Sequence, residues 1–356
     1  MKTSAKGVFA GLAALGLLGS HCAAARPRTP QAKPLVSLGG ALLLADEGSF
    51  FVGGHVERSE YPSVPGAAGR FVVGQMYVHY RVPLKRRHRW PIVMVHGGGL
   101  TGATYETTPD GREGWATYFA RRGFVVYVVD LPGRGRAGFD PTAINRAAVE
   151  KNASSLPGLI RRTEEYAWTV YRFGPANGVP YPGIQYPTEA AEALSAQSVP
   201  TAEVFLPDGL TGAAPNALAA LLDKIGPAVV MAHSQSGPFA DKLVELRPLL
   251  VRAVINIEAS QGTIPTDAQI AAYRDVPDLE LFGDNVIGNP TATGQSRYDG
   301  RKSVVSRIKA AGYDADIVAL PDIGLHGNSH LLMQDRNNLE VANFLIRWIE
   351  RIVEPK

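Results

Sequence analysis

The feature that most constrains this chain is the stretch 227–237, Pro-Ala-Val-Val-Met-Ala-His-Ser-Gln-Ser-Gly. An apolar run breaks off at a serine bracketed by small residues, which predicts a buried strand, a sharp elbow and the start of a helix. Such an elbow strains the backbone of its central residue, so the positions two before and two after must be small for strand and helix to approach. Here they are Ala232 and Ser236 around Ser234, where the usual pattern has glycine at both. Pro238 falls in the first turn of the helix, where a missing N–H costs nothing, and Phe239, Leu243 and Leu246 give that helix an apolar stripe.

A strand that feeds a helix this tightly calls for others like it. Residues 91–96 and 124–130 are apolar runs of the length of strands buried on both faces, with a helix expected at about 114–121 between them. Further strands are expected at 251–257, 279–282 and 317–320, and helices at 216–225, 303–311 and 339–352. Residues 35–52 and 71–82 read as antiparallel edge strands. The alternation predicts an α/β fold with a mostly parallel sheet and helices on both faces. It pauses at about 137–212, where two helical patterns, 159–173 and 188–198, are joined by Pro- and aromatic-rich links. That stretch is longer than a crossover requires. We read it as a helical cap over the carboxyl edge of the sheet, the alternative being a decorative surface bundle.

The first 25 residues differ in kind: a basic start at Lys2 and Lys6, an apolar run over 7–19 too short to span a bilayer, and Ala23-Ala24-Ala25 as a small-residue cleavage site. They read as a secretory signal peptide (1–25), leaving 26–356 as a single domain, periplasmic or secreted. The only cysteine, Cys22, lies inside it, so the exported form would carry no thiol and could use no cysteine nucleophile. The chain has 36 basic and 33 acidic residues; loss of Lys2 and Lys6 takes two from the basic total and leaves a net charge of +1. That argues against a nucleic-acid partner, and no second apolar stretch is long enough for a membrane span. No metal-ligand or cofactor motif stands out.

A serine hydroxyl is a poor nucleophile at neutral pH and needs a base within hydrogen-bond reach, itself oriented by a carboxylate. In α/β-hydrolases the order along the chain is serine, acid, histidine, each following a strand. Glu258, after strand 251–257, and Asp284, after 279–282, both qualify as the acid, and position alone leaves both open. The base belongs in the loop Gly324-Leu-His-Gly-Asn-Ser-His330, with His330, next to the final helix, preferred over His326; His96 and His233 read as structural imidazoles. Donors for an oxyanion would be the N–H of Gln235 and one from the triple glycine 97–99, for which Gly98 is the choice.

Several runs then match a known family: Gly48-Ser-Phe-Phe-Val-Gly-Gly54, His96 to Gly102, Glu106-Thr-Thr-Pro-Asp-Gly-Arg112, Gly133-Arg-Gly-Arg136, His233-Ser-Gln-Ser-Gly237, and His326-Gly-Asn-Ser-His330 followed by Met333-Gln-Asp-Arg-Asn-Asn338. Over nearly the whole mature length the chain resembles the small secreted bacterial serine esterases typified by an Alcaligenes esterase with a disulfide between adjacent cysteines. The resemblance implies an α/β-hydrolase fold, Ser234 as nucleophile, Glu258 as acid and His330 as base. It also implies export and a tendency to dimerise, in a family without a well-defined natural substrate; the expected partner is a small-molecule ester or lactone. Gly98-Gly99 stands where the type member has its cysteine pair, so any rigidity there must come from packing. Lactonase or polyesterase action on the same triad, and a non-catalytic binding protein on a hydrolase scaffold, are the alternatives.

Overall fold

A computed structural model describes residues 40–60, 67–206, 209–261 and 264–354. The expected signal peptide lies outside them. In chain order the elements are strands β1 (Leu44–Glu60), β2 (Ala68–Pro83) and β3 (Ile92–Val95), helices α1 (Ala103–Glu106) and α2 (Trp115–Arg122), and strand β4 (Val126–Asp130). Helices α3 (Thr142–Val149), α4 (Glu164–Val170), α5 (Ala191–Gln197) and α6 (Gly209–Ile225) follow before the sheet resumes. It does so with β5 (Ala228–His233), α7 (Gly237–Leu246), β6 (Val251–Ile257), α8 (Asp267–Ala271) and β7 (Asp278–Phe282). The chain closes with α9 (Gln295–Ala310), β8 (Ala315–Ala319) and α10 (Asn338–Trp348).

These strands form one eight-stranded sheet in the order β1-β2-β4-β3-β5-β6-β7-β8. From β4 to β8 neighbouring strands run parallel, while β1 and β2 pair antiparallel at one edge. The central strands are mostly apolar because both faces are covered, and their side chains alternate between two cores. Ile92 and Met94 face the core built with Trp115 and Phe119 of α2 and Val341 and Leu345 of α10. Val93 and Val95 face the other, with Leu218 and Leu222 of α6 and Phe239 and Leu243 of α7. Truncating one of the buried leucines to alanine would cost about 2–5 kcal/mol.

Several elements differ from expectation, among them α6, which begins at Gly209 and not at 216. The helix expected over 159–173 is confined to α4, because Thr163 caps it by accepting the N–H of Tyr166 at 3.2 Å, and Arg172 ends it in the left-handed region at φ 59°. Helix α9 begins eight residues before the expected 303, since its first two turns carry polar residues without an apolar stripe. Strand β1 continues past Val52 to Glu60.

Strand β7, buried along its length, contains Asp278 and Glu280. A strand interior accepts such groups only with partners. Arg301 of α9 supplies one, its Nε donating to Glu280 at 2.8 Å and its Nη1 to Asp241 at 2.6 Å. Asn256 Nδ2 adds a bond to Glu280 at 2.9 Å.

Candidate active site

The site lies where β3, β5, β6 and β7 end. Ser234 follows β5 directly, at φ 51°, with its side chain almost wholly buried. Small neighbours permit that turn. A Cβ on Gly97 would stand 2.5 Å from His233 Nδ1 and 3.0 Å from Ser234 Cβ, and one on Gly237 would stand 2.6 Å from Ala259 Cβ. The Ser236 hydroxyl donates to the His96 carbonyl, tying the elbow to the end of β3. Of the five non-glycine residues at positive φ among those described, three are Ser234, Glu258 at 52° and Arg172 at 59°. Strain of this kind costs on the order of 1–3 kcal/mol per residue and persists only where the surroundings enforce it.

Ser234, His330 and Glu258 are hydrogen-bonded in series. Ser234 Oγ lies 2.9 Å from His330 Nε2, and His330 Nδ1 lies 3.1 Å from Glu258 Oε2. A carboxylate can only accept, so the tautomer protonated on Nδ1 satisfies both bonds and leaves Nε2 to accept from the serine. Glu258 is wholly buried and saturated with donors: Gly283 N at 2.6 Å and both terminal nitrogens of Arg172, Nη1 at 2.9 Å and Nη2 at 2.5 Å. Arg172 is buried too, and also donates to the carbonyls of Asp284 and Thr293.

His330 is held from three directions. Its N–H donates to the Tyr171 carbonyl at 2.8 Å, its ring stacks on that of Tyr171 at 5.6 Å between centroids, and its carbonyl lies 3.0 Å from His233 Nε2. Two acids fix its loop. Asp284 Oδ2 accepts the N–H of Asn328 at 2.8 Å, and the buried Asp335 accepts from Ser329 N, Ser329 Oγ and Asn328 Nδ2 at 2.8, 2.7 and 3.1 Å. Asp284 therefore braces the backbone of the histidine loop, and Glu258 is the carboxylate on the imidazole. His326 is exposed on the same loop. His96 lies buried at the end of β3, accepting the Leu131 N–H at 3.1 Å, and burial pushes its pKa down to about 4.

Gly98 and Gln235 adjoin each other: a Cβ on Gly98 would come 3.0 Å from Gln235 Oε1. The glycine loop is tied from outside by Val199, whose N–H donates to the Gly99 carbonyl at 2.9 Å.

Sequence reasoning missed three arginines here. Arg172 pairs with Glu258. Arg297, in the first turn of α9, donates through Nη1 to Ser234 Oγ at 3.0 Å and to the Glu258 carbonyl at 2.9 Å, and through Nε to the Ala292 carbonyl at 2.9 Å. Arg162, just before α4, lies over the glycine loop, where a Cβ on Gly98 would come 2.8 Å from its Nη2. Its guanidinium lies 5.5 and 5.4 Å from the ring centroids of Tyr166 and Tyr171, and it donates to the Tyr171 hydroxyl at 3.3 Å. For Arg172 there was a signal: a charged residue set between Tyr171 and Phe173 in an apolar-aromatic run, with a glutamate ending a buried strand elsewhere, implies a buried pair. Burial, and then the positive charge of Arg297, Arg172 and Arg162, hold His330 well below the usual histidine pKa. Its imidazole is thus neutral and free to accept a proton in mildly acidic solution. Among the described residues no group of three or more His, Cys, Asp or Glu is arranged to hold a metal.

No family model matches the chain. A bacterial esterase whose structure is known at atomic resolution is 37% identical and superposes with a TM-score of 0.82, over 89% of this chain and 99% of that one. A curated fungal protein, "Probable secreted lipase phiG" (Fungal sp., strain ATCC 74256), is 25% identical over 342 residues, 82% of this chain and 90% of that protein.

Proposed function

The chain belongs to the α/β-hydrolase superfamily, and from that premise we propose that it is a carboxylic ester hydrolase working through an acyl-enzyme on Ser234. The observation that carries this reading is the unbroken series Ser234 Oγ, His330 Nε2, His330 Nδ1 and Glu258 Oε2. Ser234 attacks the ester carbonyl as His330 takes its proton. Glu258, held in place by Arg172, orients the ring and stabilises the imidazolium. The N–H groups of Gln235 and Gly98 receive the oxyanion, a contribution of roughly 3–4 kcal/mol per donor in comparable sites. His330 then protonates the departing alkoxide, and water, activated by the same imidazole, releases the acid. The insertion at about 137–212 acts as the cap that selects the substrate, since it sends Arg162, Tyr171 and Arg172 into the site. The relation to a probable secreted lipase agrees with export of the mature chain.

A fluorophosphonate should label wild-type protein stoichiometrically, and Ser234→Ala should abolish labelling and ester turnover while the protein stays folded. An unlabelled wild type would end the reading and leave a binding protein on a hydrolase scaffold.

A further inference from the structure

Guanidinium groups in a protein interior usually meet carboxylates, and two of those around Ser234 do not. Arg172 is committed to Glu258, and Arg134, which also reaches Gln235, to Glu203. Arg162 has a phenol and two ring faces for company, and Arg297 has one hydroxyl and two carbonyl oxygens. Neither faces a carboxylate partner among the described residues. Both are half-buried, and the charge of Arg162 acts on Arg297. Burial comes first in pulling the Arg297 pKa down to about 10, the Glu258 charge opposes it, and Arg172 and then Arg162 lower it further. Two like charges held together, with the Glu258 carboxylate already paired to Arg172, are a cost that folding alone does not explain.

Their position says what would relieve it. Arg297 touches the nucleophilic oxygen, and Arg162 covers the loop expected to receive the oxyanion. An anion between them would belong to the molecule being cleaved. We propose that the site selects esters that carry a second, ionised carboxylate, with Arg162 and Arg297 as the specificity-determining residues. The inference rests on the ester-hydrolase reading. Arg297 Nη1 lies 3.0 Å from Ser234 Oγ, so a carboxylate that it bonds stays within a few ångströms of the scissile carbonyl. A half ester of a four- or five-carbon dicarboxylic acid keeps its two carboxyl groups that close. Such a carboxylate would also offset the positive field that opposes proton uptake by His330.

The experiment compares monomethyl glutarate, the anionic half ester, with dimethyl glutarate, its neutral counterpart, by methanol release at pH 7.5. We expect kcat/KM at least about tenfold higher for the half ester, as one charge-assisted contact requires. The ratio of the two should fall about tenfold in Arg162→Gln and in Arg297→Gln, and be partly restored in Arg162→Lys. Because the ratio is internal to each variant, a general loss of activity leaves it readable; should the glutamine variants fail to fold, the wild-type ratio decides. A wild type that cleaves the diester as well as the half ester, or cleaves neither, overturns the inference, as does a ratio indifferent to both glutamine variants. Fluorophosphonate labelling separates the two levels: label without preference removes only this inference, and absence of label removes the esterase reading with it.

Discussion

At the scale of single residues, neighbours of the same type have unlike environments. His330 is buried between Ser234 and Glu258, whereas His326, four positions earlier, is exposed; Glu258 accepts from the imidazole, whereas Asp284 braces a loop. Loss of a triad base typically costs 10⁴-fold or more in kcat. We therefore expect His330→Ala to abolish turnover and Glu258→Gln to impair it severely. His326→Ala and Asp284→Asn should remain within about tenfold of wild type, a barrier change of roughly 1.4 kcal/mol. An inactive His326→Ala beside an active His330→Ala would show the base misassigned. The pH profile checks the same assignment: a base whose pKa is depressed releases its proton at lower pH, so the acid limb of kcat/KM should lie well below pH 6.5. Position in the sequence identified the candidates but could not separate Glu258 from Asp284, because both follow parallel strands; the choice came from the resemblance. The arginines escaped because arginine is mostly a surface residue, and nothing in a linear sequence shows that residue 297 reaches Ser234 or that residue 162 covers the glycine loop.

At the scale of elements, strands were legible where both faces are buried. β3, β5 and β6 announce themselves as apolar runs, and β5 ends at the expected serine. Helices were legible only where a stripe exists. The early turns of α9 have none, because Arg301 replaces an apolar contact with ion pairs to Glu280 and Asp241. The run Met333-Gln-Asp-Arg-Asn-Asn338 gains a physical meaning here, since Asp335 organises the loop that carries His330. Burial, opposed by the donors from Ser329 and Asn328, pushes its carboxyl up to about 7. The folded chain then keeps this proton to about pH 7, whereas the unfolded carboxyl releases it near pH 4. Between those values the unfolded state binds fewer protons, so stability should fall as pH rises from about 4 to 7 and level off above. Glu280, pushed up to about 7 chiefly by burial, adds to the same slope. Urea midpoints measured across that window should show a shallower slope in Asp335→Asn than in wild type; an equal slope would exclude Asp335 as a contributor.

At the scale of the whole molecule, the alternation of strands and helices was enough to foresee a mostly parallel sheet, and the pause in it marked where the chain does something else. What the sequence could not convey is how deeply that interruption enters the site, because its contacts with Glu258, Gly99 and His330 are all distant in sequence. Export belongs to this scale as well. If the first 25 residues are removed, the only cysteine goes with them. Thiol titration of the exported, denatured protein should find none, and one thiol per chain would show that the segment is retained.

The attachment of Tyr171 and Arg172 to His330 and Glu258 has a consequence for how such a protein can diverge. In an enzyme whose lid only covers the site, the lid can be exchanged or randomised to reach new substrates while the chemistry stays intact. Here the same two-turn helix α4 is preceded by Arg162 and followed by the residues that hold His330 and Glu258. Under the proposed mechanism, selection on substrate range and selection on catalytic power therefore act on one short segment. Recombination with a foreign lid would inherit a new specificity only by discarding the support beneath the proposed acid and base.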